Sequence, residues 1–519
     1  MQDIIIVGAG SAGCAIAARA SEDPNRTVML LDAGPDYSAI ADTPYDLINS
    51  HNNSYQAHDW GLQHQPTRGR DVPFPRGRVT GGSSAVNTTI ALRGVPEDYD
   101  EWASHGNPEW AWNKVLPAFN RLERDLDFGD RSYHGDAGPI SIRRYPDSEL
   151  VPQHSAFLDA ARRLGYPDCP DANEPWGWGS GAHPMNKLGR LRVSCAVGYL
   201  SAARIRPNLH IRPDSTALRL VFENNRCTGV QVRNADGSTE VLRANLVVLA
   251  AGAIMSPAIL MRSGIGPRAH LESLGIPVVQ HVPGVGQNLS DHPALAVNCI
   301  AKDARLIDFD LPIIQTILRY TCEGSSVRND LQIEMLTFTG RRKGEASFGI
   351  AAVLEYQHGR GELRLASADP DIAPIIDNRF CEDERDVTRL VQCYKDTLAF
   401  TQAEPVAGMI ERVNFPRAAN AGSGANAATY GLTDDDIAAL CKRFAGSGYH
   451  PCGTAKMGPS ADPLAVVNQF GQCHAIEQLV VADASIMPGV PRANTNLTCI
   501  MIGEKVGEWL RTRPATYGL

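Results

Sequence analysis

Three things this chain of 519 residues does without narrow its chemistry before any motif is read. It has no cluster of cations: 49 Lys and Arg face 58 Asp and Glu, leaving a formal charge of −9, and no long Lys/Arg run interrupts that balance. A nucleic-acid surface needs clustered cations to neutralise phosphates, so that class is argued against. It has no long apolar run either. The longest candidate, Leu246 to Met255, is interrupted by Gly252 and falls short of the ~20 apolar residues of a membrane span, so it reads as a buried strand. Finally, its 12 cysteines are scattered from Cys14 to Cys499 with no CxxC pair and no metal-like spacing, which predicts reduced, mostly buried thiols and no structural zinc. No secretory leader is expected, because the first motif starts within three residues of Met1, and a cytoplasmic protein is inferred. No internal repeat or low-complexity tract is present. Small-molecule chemistry is what these absences leave.

The most informative segment that is present lies at the start. Asp3 to Val7 is a short apolar run suited to a buried strand, and Gly8-Ala9-Gly10-Ser11-Ala12-Gly13 follows it directly. In such a turn Gly8 permits the tight bend, Gly10 lets the backbone approach a pyrophosphate, and Gly13 lets the helix pack closely on the strand. A helix from about Ser11 to Ala20 then aims its free N–H groups at phosphates. A second strand, Val28 to Leu31, ends in Asp32, whose carboxylate can accept hydrogen bonds from ribose hydroxyls. Strand, glycine turn, helix, strand and acid in register predict a bound dinucleotide. The pattern leaves NAD and FAD open.

The chain exceeds the ~250–300 residues at which one core stops growing, so two or more domains are expected. Leu246–Gly252 and Leu479–Asp483 are apolar runs like the interior strands of a doubly wound sheet, buried on both faces. The nucleotide domain is therefore expected to be discontinuous: residues 1–148, 196–294 and 440–519. Residues 149–195 and 295–439 form the expected substrate domain. There, Leu331-Gln332-Ile333-Glu334-Met335-Leu336 alternates as in an antiparallel sheet with one open face. Asp36 to Arg78 reads as a long excursion from the nucleotide domain, of the kind that is functional or disordered. A final amphipathic helix is predicted over Asn496–Arg511, after an Asn-Thr-Asn cluster that can cap it.

Three further segments carry a family resemblance. Gly77-Arg78-Val79-Thr80-Gly81-Gly82-Ser83-Ser84-Ala85-Val86-Asn87 precedes Arg93-Gly94 and Asp98-Tyr99-Asp100-Glu101-Trp102. Gly252-Ala253-Ile254-Met255-Ser256-Pro257 runs into Ser263-Gly264-Ile265-Gly266, followed by Pro283-Gly284-Val285-Gly286, Asn288-Leu289 and Asp291-His292-Pro293. Tyr449-His450-Pro451 is followed by Gly453-Thr454, Lys456-Met457-Gly458 and, later, Asn494-Thr495-Asn496. In this order they resemble the signatures of the glucose-methanol-choline (GMC) flavin oxidoreductases across nearly the whole chain, most weakly over about 295–440.

The resemblance implies an α/β fold, with a doubly wound, Rossmann-like FAD-binding domain and an antiparallel-sheet substrate domain. It implies FAD rather than NAD. Contacts to FAD are expected from Gly8, Gly10, Ser11, Ala12, Gly13, Asp32 and Ala33 in the N-terminal unit. Val79, Gly82, Ser83, Asn87 and Thr88 are expected from the first signature, Ala217, Ala251 and Gly252 from mid-chain, and Asp483, Ala484, Asn494 and Thr495 from the C-terminal end. No metal is implied.

The same resemblance places His450 and Asn494 beside the flavin as the catalytic pair. An alcohol is too weak an acid to lose its proton unaided at neutral pH, and an imidazole can accept it. Asn494 can hold the oxygen through its amide N–H₂, and the hydride passes to flavin N5. The N-terminus of the last helix is expected to point its partial positive charge at the flavin pyrimidine ring and favour the reduced anion. His292 is expected to fix loop structure rather than do chemistry.

Departures from the family narrow the expectation. Members with covalent FAD carry a histidine directly before the first-signature asparagine, where this chain has Val86, so non-covalent FAD is expected. Choline-oxidising members carry a glutamate two residues after the Asp-His histidine, where this chain has Ala294. Cys452 stands where pyridoxine-oxidising members place another histidine. The expected reaction is oxidation of an aromatic, furanic or similar primary alcohol to the aldehyde, with O2 as acceptor giving H2O2. The alternatives are a quinone- or dye-coupled alcohol dehydrogenase, choline-type substrates included, and an FAD-containing hydroxynitrile lyase.

Overall fold

The computed structural model describes residues 1–339, 346–415 and 430–519. The expected substrate span 295–439 thus includes 340–345 and 416–429, which lie outside the described residues.

The first sheet is built outward from Gln2–Val7. On one side it pairs in parallel with Val28–Leu31, which pairs in parallel with Leu209–Arg212. On the other side it pairs in parallel with the second half of the long strand Thr239–Leu249. Ile4, Ile5 and Ile6 are fully buried because both faces of this sheet are covered, and such burial stabilises by roughly 1.5–3 kcal/mol per side chain. The first half of Thr239–Leu249 does something else: it joins Arg226–Arg233 and Thr216–Glu223 as an antiparallel extension.

Leu479–Val481 differs from its expected interior place. Among the strands of the sheet it pairs only with Thr239–Leu249, and its other side carries a single antiparallel bridge from Gln472 to Val480, so it is the edge strand there. Its interior-like apolarity has a local cause. Cys473 N–H donates to the Leu479 carbonyl and Val481 N–H to the Gly471 carbonyl, so a loop covers the edge and buries all three residues.

The second sheet is antiparallel throughout, in the order Ile410–Asn414, Pro293–Ala301, Ser347–Leu354, Leu331–Leu336, Thr316–Tyr320 and Gly179–Ala182. Gly446–Ser447 also pairs with Pro293–Ala301. Leu331, Ile333 and Met335 join the buried cluster that includes Leu390, Tyr394 and Leu398 of the helix Glu384–Gln402. The alternate residues Gln332, Glu334 and Leu336 line a cavity. The face expected to be open is therefore closed against the first half of the molecule rather than facing bulk water.

The first helix, Ser11–Ala20, and the last, Thr495–Thr512, cross at small residues. A Cβ on Gly503 would lie 2.5 Å from the Ala12 carbonyl oxygen, and one on Gly507 would lie 2.8 Å from Arg19 Cβ. Ser11 Oγ–H donates to Asn496 Oδ1 at 2.8 Å, pinning the two N-termini together. Among the described residues, no helix is long and apolar enough to cross a membrane.

Candidate active site

A cavity of about 590 Å³ lies between the two sheets. Both crossing helices open onto it, through Ser11 and Ala12 of the first and Thr495 and Asn496 of the last. Neither helix has a side-chain cap or an acidic residue in its first turn, so both present free N–H groups and partial positive charge to one space. The glycine turn behaves as its sequence requires. Gly8 has φ +103°, Gly13 has no room for a side chain against the Gly8 carbonyl, and a Cβ on Gly10 would meet nothing closer than 4.0 Å. Gly10 thus leaves its backbone open to a close ligand. Asp32 lines the cavity while its oxygens accept from Ala9 N–H and Gly34 N–H, both held by the turn. Burial pushes its carboxyl up to about 6, against those hydrogen bonds.

Of the residues expected to hold the cofactor, Gly8, Gly10, Ser11, Ala12, Asp32, Ala33, Gly82, Ser83, Asn87, Thr88, Ala217, Ala251, Gly252, Asp483, Ala484, Asn494 and Thr495 line this cavity. Two do not. Gly13 acts one layer behind, in helix packing. Val79 packs in a small buried apolar cluster with Leu47, Ala85 and Val86, of which Val86 also lines the cavity.

The expected catalytic pair is brought together. Asn494 Nδ2 lies 3.0 Å from His450 Nε2. Asn494 occupies the N-cap position of the last helix but makes no capping bond with its side chain, which turns to the histidine instead. His450 in turn is held from behind: its Nδ1 lies 2.9 Å from Nδ1 of His292. These contacts select a tautomer. An amide N–H₂ can only donate, so His450 Nε2 accepts, His450 Nδ1 carries the proton, and it donates to His292. The lone pair of Nε2, at the cavity wall, is held by the Asn494 amide in this structure.

Asp291 organises both histidines, a role that its place in the Asp-His motif did not disclose. Its Oδ1 accepts from the backbone N–H of His292 at 2.7 Å and of His450 at 2.8 Å, while Oδ2 accepts from Ser447 Oγ–H at 2.5 Å. Burial pushes its carboxyl up to about 6 although all these bonds favour the anion. Tyr449, between Ser447 and His450, has a left-handed φ of +66°. The strain is held by its N–H donating to Ser447 Oγ and by Arg76, whose Nη1 and Nη2 both donate to the Tyr449 carbonyl at 3.0 Å. Burial, then His292, then Arg76 lower the pKa of His450 well below that of a free imidazole, keeping it neutral. Burial alone takes His292 down to about 3.

Reading the sequence passed over Arg76 and Glu334, both of which line the cavity. Arg76 directly precedes the first signature. Glu334 was marked by its pattern, as the charged residue on the alternating face of an otherwise apolar strand. A third group with metal-ligand spacing, Glu123, Asp125 and His134, is already paired. His134 Nδ1 lies 2.7 Å from Glu123 and its Nε2 2.8 Å from Asp171, while Arg93 pairs with Glu123, and Arg144 with Asp125 and Asp171. With both ring nitrogens spent and two guanidiniums present, it is an ion-pair cluster.

The cofactor test rests on this geometry. The cavity offers two uncapped helix N-termini, a glycine turn open to close approach, a ribose-side carboxylate, and a buried Asn496 Nδ2 without a partner. These suit a dinucleotide. Comparison with known proteins agrees with the order of the motifs: the GMC oxidoreductase pattern matches residues 2–294 and 357–503. The 5-(hydroxymethyl)furfural oxidase of Methylovorus sp. (strain MP688) is 33% identical over 98% of this chain and 99% of its own. The mitochondrial choline dehydrogenase of Mus musculus is 32% identical over 98% and 89%. The crystal structure of pyridoxine 4-oxidase from Mesorbium loti superposes with a TM-score of 0.87 at 29% identity, covering 98% of each chain.

Proposed function

This chain belongs to the GMC oxidoreductases, enzymes acting on alcohol CH–OH groups, and from that premise we propose that it oxidises an aromatic, furanic or similar primary alcohol to the aldehyde, with non-covalent FAD and O2 as acceptor. The observation that carries the proposal is the pairing of His450 Nε2 with Asn494 Nδ2 at 3.0 Å on the cavity wall, an acceptor and a donor set side by side for one hydroxyl. The helix N-termini at Ser11 and Thr495, the glycine turn and Asp32 would hold FAD, which when bound supplies the hydride acceptor. Val86 supports non-covalent binding, since an aliphatic side chain cannot form the bond. Cys499, the cavity-lining thiol, is held in its unreactive protonated form, its pKa raised by burial.

The chain's own groups carry out the proton step. The alcohol replaces the Asn494–His450 contact: Asn494 N–H₂ donates to the alcohol oxygen instead of to Nε2 and orients it, and the hydroxyl donates to the freed lone pair of His450 Nε2. As the C–H bond breaks, the proton moves to Nε2 and the electron pair stays on oxygen. Because burial keeps His450 neutral, this acceptor is available at neutral pH. Ile313, Ile314, Leu336 and Val353 give the substrate side apolar walls suited to a ring. The same reading takes residues 1–148, 196–294 and 440–519 as the cofactor half and 149–195 and 295–439 as the substrate half.

A second reading, a coupled dehydrogenase of choline-type alcohols, is favoured by Glu334. Its Oε1 accepts from Gln332 Nε2 at 2.6 Å and lies 3.5 Å from His183 Nε2, which leaves Oε2 for a cationic group in the cavity. Steady-state assays of hydroxymethylfurfural, benzylic alcohols and choline, with oxygen or a quinone as acceptor, decide between them. Peroxide formation with the ring alcohols supports the first reading; turnover of choline with the quinone alone replaces it with the second.

A further inference from the structure

Behind the histidine pair lies a carboxyl group with no evident structural employment. Glu355 follows the strand Ser347–Leu354 and is 1% exposed, and neither of its oxygens has a hydrogen-bond partner. A buried carboxylate without a partner costs several kcal/mol, so a group left in this state needs an explanation. The two nearby guanidiniums make no hydrogen bond to it, although Arg319, the stronger of the two opposing charges, keeps its Nε unpartnered. Arg319 donates to the carbonyls of Ala172 and Arg492, and Arg492 pairs with Asp98 at 2.6 Å and donates to the Arg328 carbonyl. Among the described residues, the one titratable group within ion-pair distance is His292, whose Nδ1 lies 3.6 Å from Glu355 Oε2. That same Nδ1 is the atom that meets His450 Nδ1 at 2.9 Å.

Resting on the function proposed above, we propose that Glu355 is a positioning residue for His450, forming with His292 a buried pair that holds one titratable proton and whose loss of that proton strengthens His450 Nε2 as a base. With the proton present, the Glu355–His292 pair is neutral and His450 faces no negative charge. With it lost, the pair carries one negative charge behind the His450–His292 contact and stabilises the imidazolium that forms when the alcohol O–H bond breaks and the Nε2–H bond is made. The two groups titrate as a unit. Burial pushes the Glu355 carboxyl up to about 8, with Arg319 and Arg492 opposing and Glu334 and Asp98 adding to the shift. These four, together with His292, are the charged groups that face it. Arg76 and Asp291 act on the His450 end. The proton therefore leaves within the range in which the enzyme would work.

The test uses the yellow holoenzyme and Glu355→Gln, which keeps the shape and removes the titration. Flavin bleaching by whichever panel alcohol reacts is followed from about pH 6 to about pH 10. In the parent protein the rate should rise about tenfold through an inflection near pH 8. In E355Q that rise should be absent and the alkaline rate about tenfold lower. Glu355→Asp should keep an inflection, displaced in pH. A purely structural role would lower the rate equally at every pH, and an E355Q profile parallel to the parent overturns the proposal. Exchange of the histidine C2–H, read by mass spectrometry without substrate, gives an independent reading. His292 should show the same inflection in the parent and lose it in E355Q, and identical curves overturn the proposal. If no alcohol bleaches even the parent flavin, the functional reading fails while the exchange curves still decide the role of Glu355.

Discussion

His450 and His134 are both enclosed by protein, yet their surroundings drive them to opposite charge states. Burial lowers His450, and its neighbours His292 and Arg76 lower it further, so it stays a neutral acceptor. Burial also lowers His134, but hydrogen bonds to Asp171 and Glu123 outweigh it and raise the pKa, so its surroundings favour the cation. With His134 charged, Arg93, Arg144 and His134 balance Glu123, Asp125 and Asp171. Desolvation is common to both sites; the partner atoms decide whether a histidine becomes a base or a strut. Asp291 shows how finely this is controlled. A carboxylate sits in the catalytic site, but it accepts from the backbone N–H of both histidines, not from their rings.

The comparison breaks most visibly if the two rings are removed in turn. His450→Ala should keep its yellow colour and melting temperature while flavin bleaching slows by about 10²–10⁴-fold, the worth of a general base; bleaching at the parent rate would end its role. His134→Ala should do the reverse. It leaves buried carboxylates undercompensated and should cost about 3–5 kcal/mol of stability, seen as a lower melting temperature with little change in the rate per folded molecule.

Melting against pH sharpens the contrast. The folded pKa of His134 lies above its ordinary value of 6.5, so its contribution is complete below that pH and is lost as pH rises through the folded value. His292, lowered from 6.5 to about 3, has the opposite sign: its contribution is present above 6.5 and is lost as pH falls toward 3. His134→Gln should therefore flatten the alkaline side of the melting curve and leave the acid side in place.

Smaller effects should follow from the supports. Gly503→Ala forces a Cβ against the Ala12 carbonyl where the first and last helices cross, and should cost about 1–3 kcal/mol and weaken FAD retention, measured by flavin release on dilution. Asp291→Asn keeps an oxygen for the two backbone N–H groups but removes its charge, and should slow flavin bleaching about tenfold with the fold intact.

What could be read beforehand followed the range of the signals. The glycine turn, its flanking strands and Asp32 lie within one local unit, and His450 and Asn494 stand in short ordered motifs, so their meeting at 3.0 Å was legible. Leu479–Val481 was misread as interior because a strand edge covered by a loop is as apolar as an interior one. The ring contact between His292 and His450 spans 158 positions and depends on how two loops are tied by Asp291; neither loop carries a local trace of it. Glu355 directly follows an apolar strand and belongs to none of the motifs, so nothing in the sequence singled it out.

The central claim is that His450 accepts the proton of an alcohol whose oxidation reduces a bound flavin. The most direct measurement is anaerobic mixing of the yellow protein with benzylic, furanic, aliphatic and amino alcohols, followed by admission of air. The account predicts bleaching by the ring alcohols and rapid return of colour with peroxide, with the bleaching step slowed by about 10²–10⁴-fold in His450→Ala. Flavin that stays oxidised with every alcohol, or that bleaches as fast without His450, would contradict it.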